Sequence, residues 1–273
     1  MEEVAVEKKG ISILGAFGLV ILIFIFQIIL YIPIDIVGMM VERNGLNNIG
    51  SYIAVAGEIF VNLAIIYLLV KRIRKKEKFK LKLKYKPKLK EYLFALLFLG
   101  AHLFVFGNTL GILMDKIEVS QWVTEAFDEM FIDPIIAFVS ICVIAPVFEE
   151  VIYRGIILEQ LSKKYSPAKA IVTSAVIFGL IHFNLHQSVN AFFIGLIIGF
   201  IYIKTNSLLL CIFWHFINNF LVFVSSIYIT ETVSNVVPTV SIFQLVLGII
   251  LLIASYSFFN NREEDSEFSV SEV

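Results

Sequence analysis

Ala145-Pro146-Val147-Phe148-Glu149-Glu150-Val151-Ile152-Tyr153-Arg154-Gly155 decides how this chain is read. The stretch lies inside an apolar run from about 133 to 160, longer than the ~20 residues a membrane span needs. An ionisable group at bilayer depth costs at least ~2.5–3.5 kcal/mol. Glu149, Glu150 and Arg154 fall within six positions, so they must pair with one another or face a water-filled cavity. A single span would gain nothing from such a cluster. A bundle of spans around a polar cavity would.

The rest of the chain agrees. Of its 273 residues 59% are hydrophobic and only 16% charged, with a mean hydropathy of +0.88. The charges are clumped and leave long uncharged runs, the mark of an integral membrane protein. Eight candidate spans fall at roughly 11–31, 51–70, 91–113, 133–160, 167–183, 189–203, 207–229 and 239–259. The expected fold is therefore all-α: a polytopic bundle of about eight transmembrane helices around a polar intramembrane cavity, some of them short or broken. Three regions are expected: N-terminal spans in 1–130, a functional helical core in 131–229, and a last span with an acidic tail in 230–273. Lys8 and Lys9 precede the first run, which is too long for a signal-peptide core and lacks a small-x-small cleavage site, so it reads as a retained helix.

Orientation follows from the basic residues. The loop 71–90 holds 12 of the 22 Lys and Arg. Lys8, Lys9, Lys163, Lys164, Lys169, Lys204 and Arg262 fall on the same side if eight spans alternate, against Arg43 and Lys116 on the other. The positive-inside rule then puts both termini in the cytoplasm, in the plasma membrane if the chain is bacterial. Within the loop, Leu81-Lys82-Leu83-Lys84-Tyr85-Lys86-Pro87-Lys88-Leu89-Lys90 alternates apolar and basic. Anionic lipid headgroups would suit it, and a solvated loop that only sets topology is the alternative. The external stretch 118–133 carries Trp122, Phe127 and Phe131 among acids, as an interfacial helix or a capping loop would. No basic face interleaved with aromatics is present, so nucleic acid is not an expected partner. Cys142 and Cys211 lie in apolar segments without metal-ligand spacing and read as buried packing residues.

The charged stretch divides by geometry. Helical neighbours point ~100° apart, so Glu149 and Glu150 cannot share one role. Glu150 and Arg154 are i and i+4 with the acid first, the better order for an ion pair. Glu149 is left to face elsewhere. Pro146 cannot donate to the carbonyl of Cys142, so a kink is expected there. Two further polar groups occur in spans: Phe178-Gly179-Leu180-Ile181-His182, and His215-Phe216-Ile217-Asn218-Asn219, where His215 and Asn219 share a face. At ~1.5 Å per residue, Glu149, His182 and His215 lie ~18, ~22 and ~12 Å from the same side of the membrane. Side chains can close such gaps. The polar turn 184–188, between two short apolar runs, hints at a cavity entering the bundle. Glu58, with Asn62 one turn on, is expected to hold helix two against its neighbours or to line the cavity, and is left outside the catalytic set.

In that order, Glu149-Glu150-x-x-x-Arg154, Phe178-x-x-x-His182 and His215-x-x-x-Asn219 resemble the three motifs of the CPBP family. These are the CAAX-processing and bacteriocin-processing (Abi) intramembrane endopeptidases. The resemblance covers about 75 residues, from Ala145 to Asn219, and departs at no motif position. It implies peptide-bond hydrolysis inside the membrane. Glu149 and His182 would activate the water, His215 and Asn219 would stabilise the oxyanion, and Glu150 and Arg154 would support them. The implied substrate is a membrane-bound or lipid-modified peptide or protein. A metal-free glutamate mechanism is the favoured expectation, because the HExxH pattern is absent. A divalent metal such as zinc, held by Glu149, His182 and His215, is the alternative. Two other readings stand beside hydrolysis: a non-enzymatic bacteriocin self-immunity protein that binds a peptide toxin or its target, and a small transporter using the charges as a relay.

Overall fold

The computed structural model describes residues 10–44, 49–75, 77–83, 85–228 and 240–262. Lys8, Lys9 and the acidic tail beyond Arg262 lie outside the described residues. The described chain is helical throughout, with no strand. In order the helices are α1 (Ile13–Arg43), α2 (Ile49–Arg74), α3 (Leu89–Gly107), α4 (Leu110–Met114), α5 (Gln121–Met130), α6 (Pro134–Ser162), α7 (Pro167–Leu180), α8 (Leu185–Thr205), α9 (Leu208–Tyr228) and α10 (Ile242–Asn260). Seven of them are long and apolar enough to cross a membrane. The other three are the short α4 and α5 and the apolar α7, whose 14 residues span ~21 Å against a hydrocarbon core of ~30 Å.

The helix ends differ from the sequence expectation where capping or pairing overrides the hydrophobic signal. Instead of stopping near Tyr31, α1 runs through Pro33 to Arg43. Apolar residues continue beyond the proline, and α2 packs along them: a Cβ on Gly38 would stand 3.3 Å from the carbonyl of Gly50. The third span ends at Gly107 rather than 113. There Asn108 donates to the Phe104 carbonyl and to Gln244 Oε1 and accepts from the backbone of Ser241, tying α3 to α10. The run 189–203 is the core of a 21-residue helix, because Asn184 caps it by accepting from the backbone of Gln187. The stretch read as an interfacial helix or a capping loop contains the helix α5, with Val123 buried and Trp122 exposed.

Three antiparallel pairs build the bundle: α1 with α2, α3 with α10, and α7 with α8. In lipid such pairs rely on close backbone approach at small residues. Gly195 of α8 is an example: a Cβ there would lie 2.9 Å from Ala175 Cα of α7. The later half of α6 runs through the middle, with Ile152, Ile156, Ile157, Leu158 and Leu161 fully buried. Large apolar side chains on the outer faces, among them Ile28, Ile29, Phe60, Leu63 and Ile253, are exposed, as a lipid-facing surface requires.

One end of the bundle gathers the basic residues. The segment after α2 crosses it as a strap with Phe79 buried. Its Lys82 carbonyl accepts from the backbone of Leu208, while Lys82 Nζ reaches Glu159 at 3.1 Å and Asn206 at 2.6 Å. Arg262 donates to the Lys204 carbonyl and pairs with Glu91. The Ile11 backbone donates to the Gln160 carbonyl. Both ends of the described chain therefore lie at the basic end.

Candidate active site

The glutamate pair sits on a helix whose winding alternates between α and π. α6 is π-helical over Phe138–Ile144, α-helical over Ala145–Glu150, and π-helical again over Val151–Leu158. Ahead of Pro146, where a kink is expected, the wide turn makes room for the ring that an α-turn would press against the i−4 carbonyl. It also redirects backbone groups. The Ile141 carbonyl accepts from Asn219 Nδ2 of α9 at 2.9 Å.

Glu150 is completely buried and Glu149 keeps 22% of its side chain exposed, so the two carboxylates face apart. Glu150 Oε1 accepts from Arg154 Nη1 at 2.9 Å, the pair expected from the spacing. The same oxygen lies 2.7 Å from His215 Nδ1. Arginine is thus not the only partner of Glu150, as the spacing alone suggested. A carboxylate already paired with a guanidinium is an acceptor, so Nδ1 carries the proton and donates. His215 Nε2 is thereby turned toward Glu149, 3.8 Å from its Oε2. One turn further along α9, Asn219 has one amide hydrogen on Ile141 and its Oδ1 accepts from Asn218 Nδ2 at 3.2 Å. Among the described residues the second amide hydrogen has no acceptor.

His182 follows α7 in the turn to α8, where Phe183 takes a positive φ of 53°. Its Nδ1 lies 2.9 Å from the Phe178 carbonyl. A carbonyl can only accept, so Nδ1 donates and neutral His182 has its lone pair on Nε2. The recorded contacts tie His182 to the cluster through Phe178. That ring meets His182 edge-on at 5.2 Å and His215 at 5.8 Å, and its face takes the Arg154 guanidinium at 4.4 Å.

Of the six residues singled out in the sequence, Glu149, Glu150, Arg154 and His215 form one cluster. Asn219 joins it through the backbone of α6, and His182 through a shared aromatic wall. Two neighbours stand beside those six. Phe178, quoted with His182 in the second motif, is the ring between the two histidines. Glu58 of α2 accepts from Ser140 Oγ of α6 at 3.0 Å and interacts electrostatically with Glu149. A carboxylate in an apolar run was itself the signal that could have placed Glu58 here. Behind it a polar track leads outward between α1 and α2, where Tyr31 and Gln27 both donate to Asn62 Oδ1. Among the described residues, no three of His, Cys, Asp and Glu are grouped to hold a metal ion.

No curated protein and no solved structure matches the chain. A family comparison does match, and all six motif residues fall within it, whereas Glu58 does not. Residues 131–221, about a third of the chain, match the family described as Rce1-like, Type II CAAX prenyl endopeptidase Rce1-like, within the CPBP group.

Proposed function

We propose that the chain is an intramembrane endopeptidase of the CAAX-protease type. It would hydrolyse a peptide bond in a membrane-bound or lipid-modified peptide or protein. The observation that carries this reading is His215, held through Nδ1 by buried Glu150 and turned through Nε2 toward the partly exposed Glu149. A support role alone would not need a second carboxylate on the other side of that ring.

In the proposed reaction a water attacks the scissile carbonyl carbon. Glu149 takes one of its protons, with His182 Nε2 as the second acceptor near the same water. The carbonyl oxygen becomes an oxyanion held by His215 Nε2–H and by the spare amide hydrogen of Asn219. This donor role requires His215 as the imidazolium, whose other N–H rests on Glu150. The tetrahedral species then collapses: the C–N bond breaks, the proton held by Glu149 or His182 passes to the leaving amine, and a carboxylate remains. Donors preset for an oxyanion are each worth ~2.7–4 kcal/mol. General-base assistance contributes ~10²–10⁴-fold.

The reaction is proposed as metal-free, because the sequence lacks the HExxH pattern that would place two metal ligands and a base on one helix. Purified protein should therefore keep its activity in EDTA or 1,10-phenanthroline. Loss of activity in chelator, restored by zinc, would replace this mechanism with a metal-assisted one. Both termini are proposed to face the cytoplasm, since the described ends share the basic end of the bundle. The test of function is cleavage of lipid-anchored peptides by protein reconstituted in vesicles. Activity that survives both Glu149→Ala and His182→Ala overturns the proposal.

A further inference from the structure

A groove of about 690 Å³ lies on the outer face of α2, between Glu58 and the basic end of that helix. Leu63, Ile66, Tyr67 and Val70 line it at the i, i+3, i+4, i+7 spacing of one helix face, and Leu81 of the strap closes its side. At the basic end its lining changes abruptly to Lys71, Arg74 and Lys75. From Leu63 to Lys75 the groove follows α2 for ~18 Å, against ~15 Å for one leaflet of the hydrocarbon core.

The three cations are not used up by the fold. Among the described residues none of them pairs with an acid, unlike Lys82, Lys163 and Arg262 nearby. Arg74 donates through Nε to the Phe79 carbonyl at 3.1 Å, which fixes the guanidinium and leaves its terminal nitrogens for another acceptor. Lys71 Nζ stands 5.4 Å from the centre of the Tyr67 ring, at the junction of the apolar and cationic parts. An apolar groove of ~11 Å that ends in three cations, none with an acidic partner among the described residues, fits one ligand chemistry: the first part of an acyl chain attached to a phosphate.

We propose that this groove binds an anionic phospholipid, its chain against Leu63, Ile66 and Val70 and its phosphate among Lys71, Arg74 and Lys75. The site is separate from the peptidase reaction proposed above and does not depend on it. Charge complementarity selects a phospholipid over an uncharged lipid tail, because a bare tail would leave the cations unpaired. Basic pockets between helices and loops on the cytoplasmic side are a general means of headgroup recognition.

The test is lipid retention by the full chain in detergent micelles, read by native mass spectrometry with added dioleoyl phosphatidylglycerol or dioleoyl phosphatidylcholine. The expected preference for phosphatidylglycerol is on the order of tenfold to a hundredfold. Lys71→Gln, Arg74→Gln and Lys75→Gln together should abolish that preference. Ile66→Trp, which fills the channel, should reduce retention of phosphatidylglycerol, and Val70→Phe provides a second obstruction if Ile66→Trp folds poorly. Lys86→Gln, Lys88→Gln and Lys90→Gln together should change nothing. Equal retention of the two lipids, or retention indifferent to both channel-filling variants, overturns the proposal. So does a groove that takes farnesol while phosphatidylglycerol fails to compete, since it would then belong to a lipid tail without phosphate.

Discussion

At the scale of single residues, Glu149 and Glu150 are chemically identical and the fold makes them different. Glu150 lies between Arg154 and His215 with no exposure. Glu150→Gln leaves a buried guanidinium without its charge partner, so it should destabilise the protein by about 3–5 kcal/mol, read as a lower melting temperature in detergent. Glu149→Gln touches no such pair and should leave the melting temperature close to that of the unaltered chain. Asn219→Ala should lower kcat by ~10²–10³ with little change in KM, because its spare hydrogen would act on the transition state. A KM effect without a kcat effect would assign Asn219 to substrate binding instead. The separation of the two glutamates was legible from the 100° helical step. His215 as a second partner of Glu150 was not, because that contact joins positions 65 residues apart.

At the scale of elements, the sequence showed where apolar segments lie better than where helices end. The i, i+4 pairs at Glu150–Arg154 and His215–Asn219 were readable because they are local. The π-helical turns of α6 were not, since they arise from packing around Pro146 and from the Ile141 carbonyl reaching α9. The lengths of α1 and α8 depended on a partner helix and a cap, neither visible in hydropathy. Close packing of α7 on α8 carries its own prediction. Gly195→Leu must push against Ala175 and should cost about 1–3 kcal/mol, checked by thermal unfolding; a neutral result would mean the pair is looser than the 2.9 Å approach implies. The strap adds a pH dependence. Burial and the hydrogen bond to Glu91 hold the Tyr85 hydroxyl above the usual phenol range. A proton held more tightly in the folded state stabilises below the unfolded value of about 10 and is lost above it. Melting temperature should therefore fall as pH rises past that value, and Tyr85→Phe should flatten the fall.

At the scale of the whole molecule, composition alone established a polytopic helical membrane protein, and the structure keeps that reading with seven long spans and the short α7. The glutamates and Arg154, quoted as one motif, and His215 of another meet in one cluster, while His182 reaches it only through Phe178. Glu58, left outside the catalytic set by the sequence reading, comes from α2, outside the matched stretch 131–221, and only the assembled bundle brings it near Glu149. Orientation belongs to this scale. In right-side-out cells a cysteine at Ile132 should react with an impermeant maleimide and one at Lys80 should not, since native Cys142 and Cys211 are buried. The opposite pattern would place the basic end outside.

The central claim is that Glu149 is the residue aimed at the peptide bond while Glu150 holds the site together. One measurement tests it most directly: the cleavage rate of a lipid-anchored fluorogenic peptide in vesicles carrying the unaltered chain or Glu149→Gln, with melting temperatures taken on the same preparations. The account predicts a loss of ~10²-fold or more in rate with the melting temperature unchanged. Cleavage by Glu149→Gln at a rate near that of the unaltered chain would contradict it.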